Sequence, residues 1–102
     1  MIHVVAIITT KPGMRAKVLE AFRANMPAVH AEVGCIEYVP TVDADGLGSF
    51  QAKLGPDSFV VVEKWSSVDT LKAHAAAPHM LAYGAKVKDM IASRTIHVLT
   101  SA

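Results

Sequence analysis

The chain carries a single cysteine, Cys35, in 102 residues. It can form no intrachain disulfide, which fits a reducing, cytoplasmic setting. Any metal site would have to be built from histidine and carboxylate alone. Charge is also sparse: charged residues make up 19% of the chain and the formal net charge is +1. Acids and bases are interspersed, so no basic stripe exists to neutralise a run of phosphates, and nucleic acid is not an expected partner. Long apolar runs are missing too. The stretch Ile2 to Ile8 falls far short of the ~20 residues that span a bilayer and has no charged leader or small-residue cleavage pattern before it, so it reads as a strand and membrane insertion is not expected. No repeat, low-complexity segment or linker divides the sequence, which leaves one domain over 1–102 with room for one core and one pocket. A glycine-rich phosphate loop and a nucleophile elbow are likewise lacking.

What the chain does have is apolar material, 52% of its residues, more than an ordinary globular domain carries. Along Ile2 to Ile8 both alternating faces are apolar, which asks for an interior strand. Lys11-Pro12-Gly13 then punctuates the chain. Met14, Val18, Phe22, Met26, Val29 and Val33 recur at three and four, predicting an amphipathic helix that stops at Gly34. Pro27 falls inside that pattern, where it costs roughly 3 kcal/mol in a regular helix, so a kink or break is expected near Met26. Ile36 to Val42 alternates as a strand, and Pro40 confines it to a sheet edge.

Asp43 to Asp57 is longer than a hairpin needs and reads as a flexible flap or as a loop hiding a short strand near Ser49 to Leu54. Its Asp43-Ala44-Asp45-Gly46 start looks like a calcium loop, but Leu54 stands where the last acidic ligand belongs, so it is a turn. Phe59 to Trp65 is a second interior strand. Ser66 or Ser67 caps a helix from Val68, with Asp69 in its first turn. Pro78 ends or restarts it. A helical segment from His79 to Ala92 presents Met80, Tyr83, Val87 and Met90 or Ile91, and Arg94 to Thr100 forms a final strand. The order is βαββαβ, an α+β ferredoxin-like subunit with an antiparallel sheet. Helices on one sheet face leave the other apolar and open, and a homodimer with two sheets packed face to face would cover it at roughly 25 cal/mol per Å².

In "SVDTLKAHAAAPHM" two histidines stand five positions apart. On an ideal helix they would be about 140° apart, whereas metal-binding pairs sit three or four apart, so a shared metal is not expected. His3, His30 and His97 lie on other elements. Proton handling suits an imidazole better, because its ordinary pKa of ~6.5 lets it accept and donate near neutral pH. Packing is the competing reading for His74, and a helix-terminal surface position for His79. Trp65, Tyr38 and Tyr83 can wall an aromatic ligand or simply fill the core. The five methionines suit an adaptable pocket or ordinary helix packing. Cys35 has no activating neighbour in sequence and reads as a small hydrophobe.

The stretch "FVVVEKWSSVDTLKAHAAAPHMLAY", with "GCIEY" upstream after a helix, resembles the antibiotic biosynthesis monooxygenase family of dimeric α+β barrels. The resemblance in element order covers nearly the whole chain, and its sharpest residues are Glu63, Trp65, Leu71, His74, Pro78 and His79. It implies a ferredoxin-like subunit, a dimeric α/β barrel and an apolar pocket between sheet and helices. It also implies an activity, since members include oxygenases that oxidise phenolic polyketides or quinols with O2 and neither metal nor flavin. On that reading His74 is catalytic, as proton acceptor or oxyanion donor. Trp65 and Tyr83 shape an aromatic slot, Tyr38 and His79 are secondary polar contacts, and no cofactor is needed. The 43–57 segment is longer than the family's usual connection. Haem-degrading relatives use a histidine near the position of Tyr83-Gly84-Ala85 that this chain lacks, and haem breakdown is a lesser alternative. A non-catalytic small-molecule-binding or stress-response dimer is the alternative from another class.

Overall fold

The computed structural model describes residues 1–102. Four strands, β1 (Ile2–Thr10), β2 (Cys35–Thr41), β3 (Ser58–Trp65) and β4 (Ile91–Leu99), form one sheet in the order β2-β3-β1-β4. Every neighbouring pair is antiparallel. Three helices, α1 (Arg15–His30), α2 (Val68–Ala76) and α3 (Pro78–Val87), complete the βαββαβ order. The two doubly apolar strands are central, and the proline-bearing β2 is at an edge, where the N–H that Pro40 lacks is not missed. None of the helices is long and apolar enough to cross a membrane.

Strand parity sorts the core. Ile2, Val4, Ala6 and Ile8 of β1 and Phe59, Val61 and Trp65 of β3 are buried on the side that the helices cover. They meet Val18, Leu19, Ala21, Phe22 and Val29 of α1. The intervening residues Val5, Ile7, Val60 and Val62, with Val39 of β2, lie on the opposite face and are only half-buried. Val39, Val62 and Val5 stand in one cross-strand row.

Four expectations need correction. Helix α1 is not broken at Pro27 but continues to His30. Pro27 and Arg23, whose carbonyl loses its partner, are both exposed, so water can satisfy the orphan group. The helix ends before Val33, which is 86% exposed in the following turn. The 43–57 segment holds no strand, only one 3-10 turn at Gly48–Phe50. Its base is fixed by Asp43, whose carboxylate accepts the amides of Leu54 and Gly55 at 2.9 Å each, and those two bonds hold its pKa below the ordinary value. Helix α3 stops at Val87 and a 3-10 turn at Lys88–Met90 leads into β4 three residues before Arg94. Met80, Tyr83, Met90 and Ile91 still pack on the core, so the apolar spacing was sound although the backbone changes type beneath it.

Ser67 starts α2 with a reciprocal cap: its hydroxyl accepts the Thr70 amide, and Thr70 Oγ1 accepts the Ser67 amide, at 3.2 Å each. Opposite this cap, Gly34 adopts φ +84° and its carbonyl accepts the Ser66 amide at 2.9 Å. A Cβ at Gly34 would lie 2.5 Å from Thr70 Cγ2. The turn after α1 and the start of α2 are thus in direct main-chain contact. Replacing the cap, Ser67→Ala, should lower unfolding free energy by about 1 kcal/mol, read from urea denaturation with an unchanged m-value. No loss beyond ~0.3 kcal/mol would show that the cap is dispensable.

Candidate active site

Glu63 is the carboxylate on the inward row of β3, between Val61 and Trp65, and it is 7% exposed. Across the sheet it faces Val4 on one side and Tyr38 on the other. Trp65, two residues along and therefore on the same face, donates its indole N–H to Glu63 Oε1 at 2.9 Å. Burial pushes the Glu63 carboxyl above its ordinary value, while the indole N–H and nearby His74 act in the opposite sense.

His74 is in the last turn of α2 and is 5% exposed. Its ring lies 4.6 Å from the Trp65 ring and 5.4 Å from Tyr38, centroid to centroid. Nδ1 is 2.7 Å from Oε2 of Glu32, in the turn after α1. An ionised carboxylate only accepts, so Nδ1 carries the hydrogen. In the neutral ring Nε2 then has its lone pair free, and no protein group takes it.

The His74 ring lines a cavity of about 750 Å³ enclosed by 22 residues, 17 of them hydrophobic. Its floor is the inward face of β1 and β3, and Leu71, Met80 and Tyr83 form part of the helical wall. Along β4 it is open, since Ile96 and Val98 line it and are still 52% and 54% exposed. Tyr38 and Tyr83 contribute two phenols, braced by Phe22, which stacks on Tyr38 at 5.0 Å and meets Tyr83 edge-on at 6.0 Å. Burial raises both phenols: Tyr83 goes up to about 12, and Tyr38 rises further, helped by Glu63. Both stay protonated at neutral pH and can donate to an anionic oxygen. Lys88 and Arg94 add positive charge to the lining.

The expected site residues therefore divide. His74, Tyr38 and Tyr83 converge on the cavity. Trp65 does not line it: the ring is fully buried behind His74, where it backs the imidazole and holds Glu63. His79, at the start of α3, faces a separate shallow hollow shared with Asn25 and Lys86. It nevertheless approaches the same Glu32 oxygen, Nε2 to Oε2 3.6 Å. Cys35 is half-buried against the core, and burial, with Glu32 and Glu63 nearby, raises its thiol, which suits packing rather than nucleophilic attack. No three His, Cys, Asp or Glu side chains converge as a metal would require.

Glu32 and Arg94 are not singled out by the sequence, and Glu63 stands out there only in the family resemblance, without a role. Glu63 had a usable signal, since strand parity puts it on the buried face with Phe59, Val61 and Trp65. Glu32 had none, because its partner is 42 residues away.

The sequence pattern of the family described as antibiotic biosynthesis monooxygenase matches residues 1–86. The chain belongs to the antibiotic biosynthesis monooxygenase family. It is 42% identical over 101 residues to the probable quinol monooxygenase YgiN of Escherichia coli K12, covering 97% of this chain and 96% of that one. Solved structures share the fold at lower identity. One from Nitrosomonas europaea has a TM-score of 0.84 at 22% identity, covering 99% and 98% of the two chains. One from Deinococcus radiodurans has 0.82 at 16% identity, covering 100% and 93%. In this member of the family, the signature residues Glu63, Trp65 and His74 form one contact group in which each ring or carboxyl touches the next.

The raised Glu63 carboxyl has a consequence for stability. The folded chain holds this proton more tightly than the unfolded chain, whose carboxyl titrates near 4.5. The resulting stabilisation is present in full below that value and is lost as pH rises through the higher folded value. Glu63→Gln, which can still accept the Trp65 N–H, should therefore gain stability relative to the native chain as pH increases above 4.5. Urea midpoints measured against pH would show it, and parallel curves for the two proteins would refute it.

Proposed function

We propose that this protein is a monooxygenase that oxidises a quinol or a polycyclic phenol with O2, and that His74 removes the proton from the reacting hydroxyl. The observation that carries the reading is His74: its Nδ1 is committed to Glu32 at 2.7 Å, no protein group bonds its Nε2, and the residue lines a large, mostly apolar cavity. The relationship to a probable quinol monooxygenase at 42% identity supports the substrate class.

The chemistry requires little beyond this. A neutral phenol reacts poorly with ground-state O2, but its anion is electron-rich enough to transfer one electron. His74 Nε2 takes the hydroxyl proton while the electron pair stays on oxygen. The phenols of Tyr38 and Tyr83, kept protonated by burial, donate hydrogen bonds to the anion, and Lys88 and Arg94 favour its charge. Electron transfer yields an organic radical and superoxide, which combine at a ring carbon as a peroxide that takes back the proton held by His74. Loss of water then leaves a quinone from a phenol, or a hydroxyquinone from a quinol. Substrate and O2 together account for every atom: one oxygen enters the product and the other departs as water. The electrons come from the substrate, and no further cofactor is invoked.

Trp65 supports the base from behind instead of stacking on substrate, and His79 acts through Glu32 instead of touching it. Two chains pair through the uncovered sheet face, joining the Val39, Val62, Val5 row of each, and the barrel so formed is the dimeric state of the enzyme.

The activity test is oxygen uptake with a panel of hydroquinones in the presence of chelator. Native protein should consume O2 above buffer, and His74→Ala should lower kcat/KM by about 100-fold or more. Uptake that is equal in the two proteins would remove His74 from the chemistry, and ligand binding without uptake would favour a sequestering role. The assembly is tested separately by sedimentation velocity. Native protein should sediment as a dimer at micromolar concentration and Val62→Glu, which buries a charge in the sheet interface, as a folded monomer.

A further inference from the structure

Asn25 lies on α1 and its amide nitrogen is within reach of two acceptors on α3, His79 Nδ1 at 3.2 Å and Met80 Sδ at 3.3 Å. Two contacts suit the two hydrogens of an NH2 group. The reversed amide would turn a carbonyl oxygen toward a thioether that has no hydrogen to offer. The amide orientation is thereby decided, and His79 Nδ1 must accept. A neutral imidazole that accepts at Nδ1 carries its hydrogen on Nε2.

His79 Nε2 is sealed from water and makes no hydrogen bond within the usual limits. It faces Oε2 of Glu32 at 3.6 Å, the same oxygen that takes His74 Nδ1 at 2.7 Å. A bare Nε2 would set a lone pair against a carboxylate in a buried site. An N–H there adds a weak favourable contact on an oxygen already engaged by the base. The break between α2 and α3 makes this possible: Ala77 is extended, and Pro78 restarts the helix so that His74 and His79 approach one carboxylate from two helices.

Resting on the reading of His74 as the base, we infer that Asn25 and His79 are positioning residues: Asn25 fixes the His79 ring with its hydrogen on Nε2, and His79 sets that N–H against Glu32, the carboxylate that holds His74. Asn25 donates to Nδ1 and so occupies the site where a second proton would go. Glu32 then has one cation to balance during turnover, the imidazolium formed at His74. A charged His79 would share that carboxylate and weaken the base. The other ionisable groups around the pair are Glu63, Tyr38 and Cys35 near Glu32 and His74, and Tyr83 and Lys86 beside His79.

The experiment is a long-range proton–nitrogen correlation spectrum of the isotope-labelled protein at neutral pH without substrate, which shows for each ring which nitrogen bears hydrogen. His74 should be hydrogenated at Nδ1 alone, the less common neutral form in water, and His79 at Nε2 alone. His79 hydrogenated at Nδ1, or at both nitrogens, would overturn the inference. In Asn25→Asp the donor becomes an acceptor, and His79 should gain hydrogen at Nδ1, become a cation, and shift the His74 ring signals. An unchanged His79 spectrum in that folded variant would equally sink it. If Asn25→Asp does not fold, the native spectrum decides alone. Because no substrate is present, this result stands apart from oxygen uptake. Correct tautomers without uptake would reject the proposed reaction and leave the hydrogen-bond assignment in place.

Discussion

Because successive side chains on a strand point to opposite faces, Phe59, Val61, Glu63 and Trp65 must share one side of the sheet with Val4, Ala6 and Ile8. All three helices cover that side. Glu63 is therefore not an isolated polar intrusion but one member of an otherwise apolar row, and the cavity is the space the helices leave above it. A shift of β3 by one residue would send Trp65 and Glu63 outward and put Val60, Val62 and Lys64 beneath His74. Pairing of β3 on both edges, with β1 and β2, guards against that slip.

A buried carboxylate and a half-buried one beside a single imidazole would be costly if left unpartnered. Here each is answered differently. Glu63 receives an indole N–H and leans toward its neutral form through burial. Glu32, in the turn after α1 and partly reached by solvent, accepts from His74 and has His79 alongside. This asymmetry assigns distinct tasks to similar groups. Glu32 is the acceptor that orients the His74 ring, and Glu63 with Trp65 lies behind that ring.

Much of the architecture could be read from the sequence because it is local. Interior β1 and β3 followed from two-sided apolar character, the edge position of β2 from Pro40, and the start of α2 from Ser67. The misreadings have physical causes. Pro27 was expected to disrupt α1, yet the carbonyl it orphans faces solvent. Helix α3 was drawn too long because apolar spacing continues through a 3-10 turn into β4. At the site, His74 was recognisable from its residue type and context, whereas Glu32 is brought to it by tertiary folding. The approach of His74 and His79 to one oxygen is likewise tertiary, because Ala77 and Pro78 divide the helix in two and let both rings turn to Glu32.

Gly34 joins these levels. Glu32 sits two residues before it, and Thr70, one helical turn before His74, packs where its side chain would be. With Gly34 O bonded to Ser66 N, the loop that carries the acceptor and the helix that carries the donor meet through main chain. A methyl group at position 34, with no charge and no hydrogen-bonding capacity, would therefore push apart the two elements whose spacing sets the Glu32–His74 contact. Every polar residue around His74 could stay in place and that contact still be lost through this one position.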